Sequence, residues 1–427
     1  MSRQDTPSYT EHFVAQDRRI TSLTLTGAEL LVRGAADPSR EAFQSPTRAI
    51  LAFEHRIAAL RALGFRPSGA TPPPRPSPLA AHLRAIADNP DACSPYLAYA
   101  AALHRARDPQ ARWIELHHAV ARAEANGAHA SPALKAAFHD HFARHAATLA
   151  PHSPHGICVI TWCLGFARRA RFVWDPNYFE DDDPLDPDEL QAVTRHALRR
   201  LLAHPCARFL EAIDFDEGDR SLLDLLLERS AAGHLRGPAT LRALRLSGDQ
   251  RPPRGLEIAF PRLRTLGGAW PSIRSIAARR FPTLESMRLT WSGHPHVKPG
   301  AASVAHLDPM LQHDLTPALR HLAIHVTPKH HIADLCEALA TSKLVAQLET
   351  LDLWTVHGMT SEAVAVLLRH TPKLSHLREL VLGDHLLPDA SKALLAGWPA
   401  VQLLPHDRYR FDRDLVFPRV VACRHCC

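Results

Sequence analysis

The pattern L-x-x-L-x-L recurs six times in the second half of the chain, and no other feature restricts the possible folds as much. Its apolar positions are Leu210, Ile213, Phe215; Leu241, Leu244, Leu246; Leu284, Met287, Leu289; Leu319, Leu322, Ile324; Leu348, Leu351, Leu353; and Leu377, Leu380, Leu382, with a degenerate copy at Leu263 and Leu266. Successive copies begin 31, 22, 21, 35, 29 and 29 residues apart, close to the period of about 20–29 residues at which one strand and its return segment stack on the next. A single unit of this kind leaves most of its apolar area wet, whereas stacked units share one continuous core. The longer intervals carry helical periodicity at 331–343 and 360–370, so each unit is expected to read strand, turn, helix, turn. The segments 160–174 and 198–215 read as the opening turns of the array, and Trp398, Val401 and Leu403 as its last rung, which places it at 157–405.

This order resembles a leucine-rich-repeat solenoid, which implies an α/β fold whose strand-lined concave face receives a partner. Side chains alternate across a strand, so residues flanking the inward leucines are expected to point outward. That selects Asp214, Arg245, Arg288, His321, His325, Asp352, Trp354 and Glu379 as candidate binding residues. A groove for a phosphate backbone would be lined by one sign of charge, whereas this set mixes acids, arginines and histidines, which argues for a protein or peptide partner. Trp354 is the anchor candidate, because aromatics dominate interface energetics. The competing reading packs it on a neighbouring rung.

Upstream, ITSLTLTGAELLVR at 20–33 alternates around a Thr26-Gly27 turn signal as a β-hairpin does. Residues 46–63 then switch to helical spacing, with Ile50, Phe53, Ile57 and Leu60 on one face, Pro46 in the first turn and Gly64 at the end. The stretch 40–65, through Phe43, Ser45, Ala49, Phe53, Gly64 and Phe65, resembles the WGR domain, although the naming signature reads Val32-Arg33-Gly34-Ala35 here. The resemblance implies a small α+β domain over 1–69 and, as the alternative function, DNA binding through Arg33, Arg40 and Arg48; solvated surface charge is the competing reading. Five prolines in 70–78 predict a stiff linker.

From 79 the apolar spacing of Leu79, Leu83, Ile86 and then Tyr96, Tyr99, Leu103, broken at Asn89-Pro90-Asp91 and Asp108-Pro109, predicts three short helices. Leu83, Ile86, Asn89, Pro90, Asp91, Pro95, Leu97, Tyr99, Ala100, Leu103, Asp108, Pro109, Ile114 and Leu116 are similar in order and spacing to a bacterial repeat-companion domain, which implies a helical unit over 79–150 ahead of degenerate leucine-rich repeats. Ala101-Ala102 and Arg112 depart from that family's pattern.

The chemistry-bearing signatures are sparse. No Walker A loop, G-x-G-x-x-G, H-E-x-x-H or G-x-S-x-G occurs. His139, His141 and His145 offer zinc donors, but with 29 histidines in the chain such clusters arise by chance. Cys423-Arg424-His425-Cys426-Cys427 lacks a second knuckle, so residues 406–427 read as a tail. The acidic run 180–189 reads as a helix N-terminal cap rather than a calcium loop. Eight cysteines in 427 residues are too sparse for a disulfide scaffold and fit reduced thiols. No apolar run reaches the roughly 18 residues of a membrane span, and the first residues have no apolar core of a signal peptide. The net charge of +6 permits a nucleic-acid partner without demanding one. These readings converge on a cytoplasmic, non-catalytic protein-interaction scaffold with no cofactor and no metal.

Overall fold

The computed structural model describes residues 8–15, 20–34, 38–67, 79–151, 157–172, 186–215, 222, 225–226, 240–246, 260–269, 280–291, 304–312, 314–326, 332–355, 359–383 and 387–404. It is a mixed α/β chain with eleven α-helices among those residues, and the described residues fall into two compact units, 8–211 with 222, 225–226 and 240 in the first, and 212–215 with 241–404 in the second. The proline linker at 70–78, the acidic residues 180–185 and the tail at 406–427 lie outside the described residues.

The first unit opens with a five-stranded antiparallel sheet in the order β4-β3-β2-β1-β5, formed by β1 (Ser8–Val14), β2 (Ile20–Thr26), β3 (Glu29–Arg33), β4 (Ser39–Ala42) and β5 (Arg66–Pro67). Gly27, at φ 56°, supplies the left-handed backbone that the two-residue β2–β3 turn requires. Helix α1 (Pro46–Ala62) starts where sequence reading places it: the Ser45 side chain accepts from the Arg48 amide and proline occupies the first turn. Ile50, Phe53, Ile57 and Leu60 are all buried, and inward residues Phe13, Leu23, Leu25 and Leu30 of the sheet complete the core.

Four helices follow: α2 (Ala80–Asp88), α3 (Cys93–Arg105), α4 (Pro109–Ala125) and α5 (Pro132–Leu149). Ile86, Tyr96, Tyr99, Ala100, Leu103 and Ile114 form one buried cluster with Leu164, Phe166 and Phe209. Strands β6 (Cys158–Cys163) and β7 (Phe166–Phe172), in the segment read as an opening turn of the array, pair antiparallel as a hairpin within this unit. At the hairpin tip Leu164 and Gly165 both have positive φ, and a Cβ on Gly165 would lie 2.8 Å from Ile114 Cγ1 and 3.3 Å from its backbone nitrogen. A Gly165→Ala variant is therefore expected to lose about 1–3 kcal/mol of stability, read as a lowered urea midpoint with unchanged slope.

Helix α6 (Pro187–Ala203) is nucleated by a capping box between Asp186 and Glu189. The acidic residues of its first turn thus serve the helix start, as expected of the run that precedes it. Its Arg199 is buried, with Nε 3.1 Å from Glu54 Oε1 of α1 and Nη1 3.5 Å from Glu11 Oε2 of β1, and Arg195 Nε lies 3.6 Å from Glu54 Oε2. Residues 8–67 are thus locked to α6 by buried charge, although the linker at 70–78 suggests a separable module. A second buried arginine, Arg168 of β7, reaches Glu211 Oε1 at 2.8 Å, the Pro90 carbonyl at 2.8 Å and Asp91 Oδ1 at 3.1 Å. The Pro90 carbonyl also accepts from the Tyr96 hydroxyl. The Asn-Pro-Asp break between α2 and α3 is in this way an anchor for β7.

The His117 ring of α4 packs edge-on to Trp113 at 4.4 Å and near Phe138 and Trp162, and its buried Nε2 has no hydrogen-bond partner among the described residues. Burial pushes its pKa down from 6.5 to about 4. The unfolded chain takes up a proton at His117 near pH 6.5 while the folded chain refuses it until about pH 4, so stability is full above that window and falls as pH drops through it. Lowering the pH from 7 to 5 is expected to remove about 2 kcal/mol through this residue. Urea titrations at the two pH values check this: His117→Phe should flatten the loss, and an unchanged pH slope in that variant would refute the assignment.

The second unit contains β8 (Ala212–Phe215), β9 (Ala243–Arg245), β10 (Thr265–Ala269), β11 (Ser286–Trp291), β12 (His321–Val326), β13 (Thr350–Thr355), β14 (Glu379–Gly383) and β15 (Val401–Leu404). Each strand pairs parallel with the next in sequence. Between them lie α7 (Asp308–Gln312), α8 (Ile332–Thr341), α9 (Ser361–Arg369), α10 (Thr371–Leu374) and α11 (Asp389–Ala396), with α8 and α9 on the two intervals where helical periodicity was read. Every leucine-type position of the six triplets is buried, as are Leu263 and Leu266. They stack in register: Ile213, Leu244, Leu266, Met287, Leu322, Leu351, Leu380 and Val401 form one continuous line. Val401 and Leu403 of the final strand are partly exposed.

Candidate binding face

Strand alternation carries the candidate residues of the second unit to the sheet face opposite the leucines, where the parallel register sorts them into lines. Asp214, Arg245, Gly267, Arg288, Ala323, Asp352, Val381 and Gln402 share one line. A second runs through Ser286, His321, Thr350 and Glu379, and a third pairs Thr290, His325 and Trp354.

Parts of the first and third lines are less accessible than alternation alone suggests. Asp214 is 0 %, Arg288 6 % and His325 2 % exposed, so these three are corrected from outward-pointing solvent contacts to buried groups. The physical reason is compensation: a charge removed from water persists only beside an opposite charge or a hydrogen-bond partner. Arg245 Nη1 lies 3.7 Å from Asp214 Oδ2. Arg288 Nη2 lies 3.1 Å from His325 Nε2, which is 3.9 Å from Asp352 Oδ2. Burial pushes the His325 pKa down, the Asp352 carboxylate opposes that, and Arg288 reinforces it; the imidazole accepts from the guanidinium. Gly267 lies between Arg245 and Arg288 along the line, and Arg245 still adds to the electrostatic push on His325.

The accessible part of the face is the line beside it. His321 is exposed, with its Nδ1 2.9 Å from Thr350 Oγ1, and Ser286, Thr350 and Glu379 are partly exposed. Asp352 and Arg245 are also partly exposed and border this line. Trp354 has its backbone opposite His325 in β13; its side chain lies outside the described residues.

One feature of this unit was missed in the sequence. The first x of each L-x-x-L runs Arg242, Arg264, Glu285, Arg320, Glu349, Arg378, and each amide from Arg264 onward donates to the carbonyl of the preceding member, forming a ladder along the sheet's leading edge. Arg264 pairs with Glu285 at 3.3 Å and Arg378 with Glu349 at 3.1 Å, with Glu349 partly exposed and the other three exposed. A charged residue at that position in every copy was the available signal. Exposed pairs of this kind contribute about 0–1 kcal/mol each, so they set register and solubility more than stability.

In the first unit, Arg33, Arg40 and Arg48 are exposed. Arg40 pairs with Glu29, and Arg48 Nε is 3.8 Å from Glu189 Oε1, so acids already face two of the three proposed phosphate contacts. On α5, His141 is buried and donates to the Pro109 carbonyl at 2.9 Å while His139 is exposed; they diverge. No group of three or more metal-ligating side chains occurs among the described residues, and no helix among them is long and apolar enough to cross a membrane.

No family model matches this chain, and no curated protein matches it. Among solved structures, a protein from Bacteroides fragilis is similar over 93% of this chain and 95% of its own, at 14% identity and a TM-score of 0.37, a likeness too weak to carry an argument.

Proposed function

We propose that the chain is a non-catalytic interaction scaffold: a leucine-rich-repeat-like solenoid, preceded by a WGR-like sheet-and-helix layer and a repeat-companion-like helical layer, that receives a protein or peptide on the sheet face opposite its leucines. The observation that carries this reading is the in-register line Ser286, His321, Thr350, Glu379, an accessible polar strip set beside buried, mutually compensated charges. A rigid strip of mixed hydrogen-bonding groups is what a polypeptide partner can match, and its Glu379 opposes a phosphate backbone. The Arg288–His325–Asp352 group, with its arginine and histidine buried, acts beneath it as support, holding strands β11 to β13 in one arrangement.

The test is capture from native cell lysate on the full chain, with nuclease present, comparing the parent with a His321→Ala/Glu379→Ala variant. Both residues are accessible, so the fold should be unchanged by circular dichroism. A protein held by the parent and reduced at least tenfold on the variant is the expected result. Retention that ignores both substitutions would remove this face from consideration, and retention seen only in a parallel capture without nuclease would transfer the function to Arg33, Arg40 and Arg48.

A further inference from the structure

We propose that a cleft at the last rung of the second unit captures the free carboxy-terminal residue of a partner polypeptide whose last side chain is apolar. The cleft has a volume of about 430 Å³ and is lined by Thr371, Ser375, Leu377, Arg378, Trp398 and Pro399 among others, within the range of small-ligand sites, roughly 300–1,000 Å³. None of its lining residues belongs to the strip of Ser286, His321, Thr350 and Glu379, so it is a separate site.

The cleft opens where the amide ladder of this unit ends. From Arg264 to Arg378, the residue after the first leucine of each rung donates its amide to the carbonyl of its counterpart one rung back. At the last rung that residue is Pro399, which has no N–H to give, and among the described residues no backbone amide donates to the Arg378 carbonyl. Two hydroxyls add acceptors beside it. Thr371 Oγ1 donates to the Leu368 carbonyl at 2.8 Å and Ser375 Oγ to the Pro372 carbonyl at 3.0 Å, so each spends its one hydrogen within the protein and keeps lone pairs for a ligand. The exposed Arg378 guanidinium is the single charge among the lining residues. Its Nη1 lies 3.1 Å from Glu349 Oε2, and its remaining N–H groups suit a second carboxylate. A fitting ligand therefore donates N–H to the acceptors, sets one carboxylate on Arg378 and rests apolar surface on Leu377, Trp398 and Pro399. The last residue of a polypeptide carries all three, in its amide, its α-carboxylate and its side chain. A bare phosphate would meet one cation among acceptors, and an amine would be repelled by the guanidinium.

The experiment is fluorescence anisotropy of the full chain with fluorescein-labelled glycine-serine hexapeptides ending in leucine, valine, isoleucine or phenylalanine, each made as the free acid and as the carboxy-terminal amide. At least one free acid is expected to bind about tenfold or more tightly than its amide, the difference made by a hydrogen bond to a charged group. R378Q should abolish that preference, whereas E349Q, which removes the carboxylate competing for the guanidinium, should strengthen binding of the acid. P399A supplies an amide for the Arg378 carbonyl, so it should weaken acid and amide alike while keeping the preference between them. H321A should leave peptide binding unchanged, so failure of this site and failure of the strip are read separately. Free acids that bind no better than their amides, a preference that survives R378Q, or dissociation constants weaker than about 1 mM for every free acid would each overturn the proposal.

Discussion

Replacing Arg199 with Met is expected to destabilise the first unit by about 3–5 kcal/mol, the range for removing one partner of a buried ion pair. The substitution keeps the volume of the side chain and removes its charge, leaving Glu11 and Glu54 buried with Arg195 as the remaining arginine of the group. Burial already pushes the Glu54 carboxyl above its ordinary range against the pull of both arginines, so losing one of them favours protonation of Glu54. An E54Q/R199M double variant should recover part of the loss, because it also removes the carboxylate left uncompensated. Urea titration followed by far-ultraviolet circular dichroism checks both. A loss below about 1 kcal/mol for the single variant, the size of an exposed pair, would mean that residues 8–67 and α6 are not held as described.

Leu351→Ala is expected to cost about 3–5 kcal/mol, because Leu351 is 0 % exposed between Leu322 and Leu380 and truncation opens a cavity in a close-packed core. The same change at Leu403, on the partly exposed final strand, should cost far less, since a terminal rung has a neighbour on one side only. Equal losses at the two positions would contradict a core built by stacking. Because His321, Thr350 and Glu379 ride on the strands that Leu351 supports, L351A should also weaken partner capture, through loosened spacing rather than a lost contact.

How much of this was legible in the sequence depends on how locally each element's reason is stated. The leucine triplets were readable because each must bury its own apolar groups, and the parallel register follows from their repetition. Helices α1 to α4 were readable from caps and breakers, Ser45-Pro46 and Asp108-Pro109 among them. Strand β1 was not: its inward residues are Glu11 and Phe13, and an inward glutamate looks like a surface residue until Arg199, 188 positions away, supplies its partner. The binding face was half legible. Alternation named the residues that share it, but burial of Asp214, Arg288 and His325 depends on compensation across strands, which a residue-by-residue pattern does not carry.

The most direct test of the scaffold reading is hydrogen–deuterium exchange of the full chain, free and saturated with the protein captured from lysate. Slowed exchange confined to peptides spanning 286–291, 321–326, 350–355 and 379–383 is the predicted result. Slowed exchange in residues 8–67 with those four strands unchanged would contradict it and place the partner on the first unit instead.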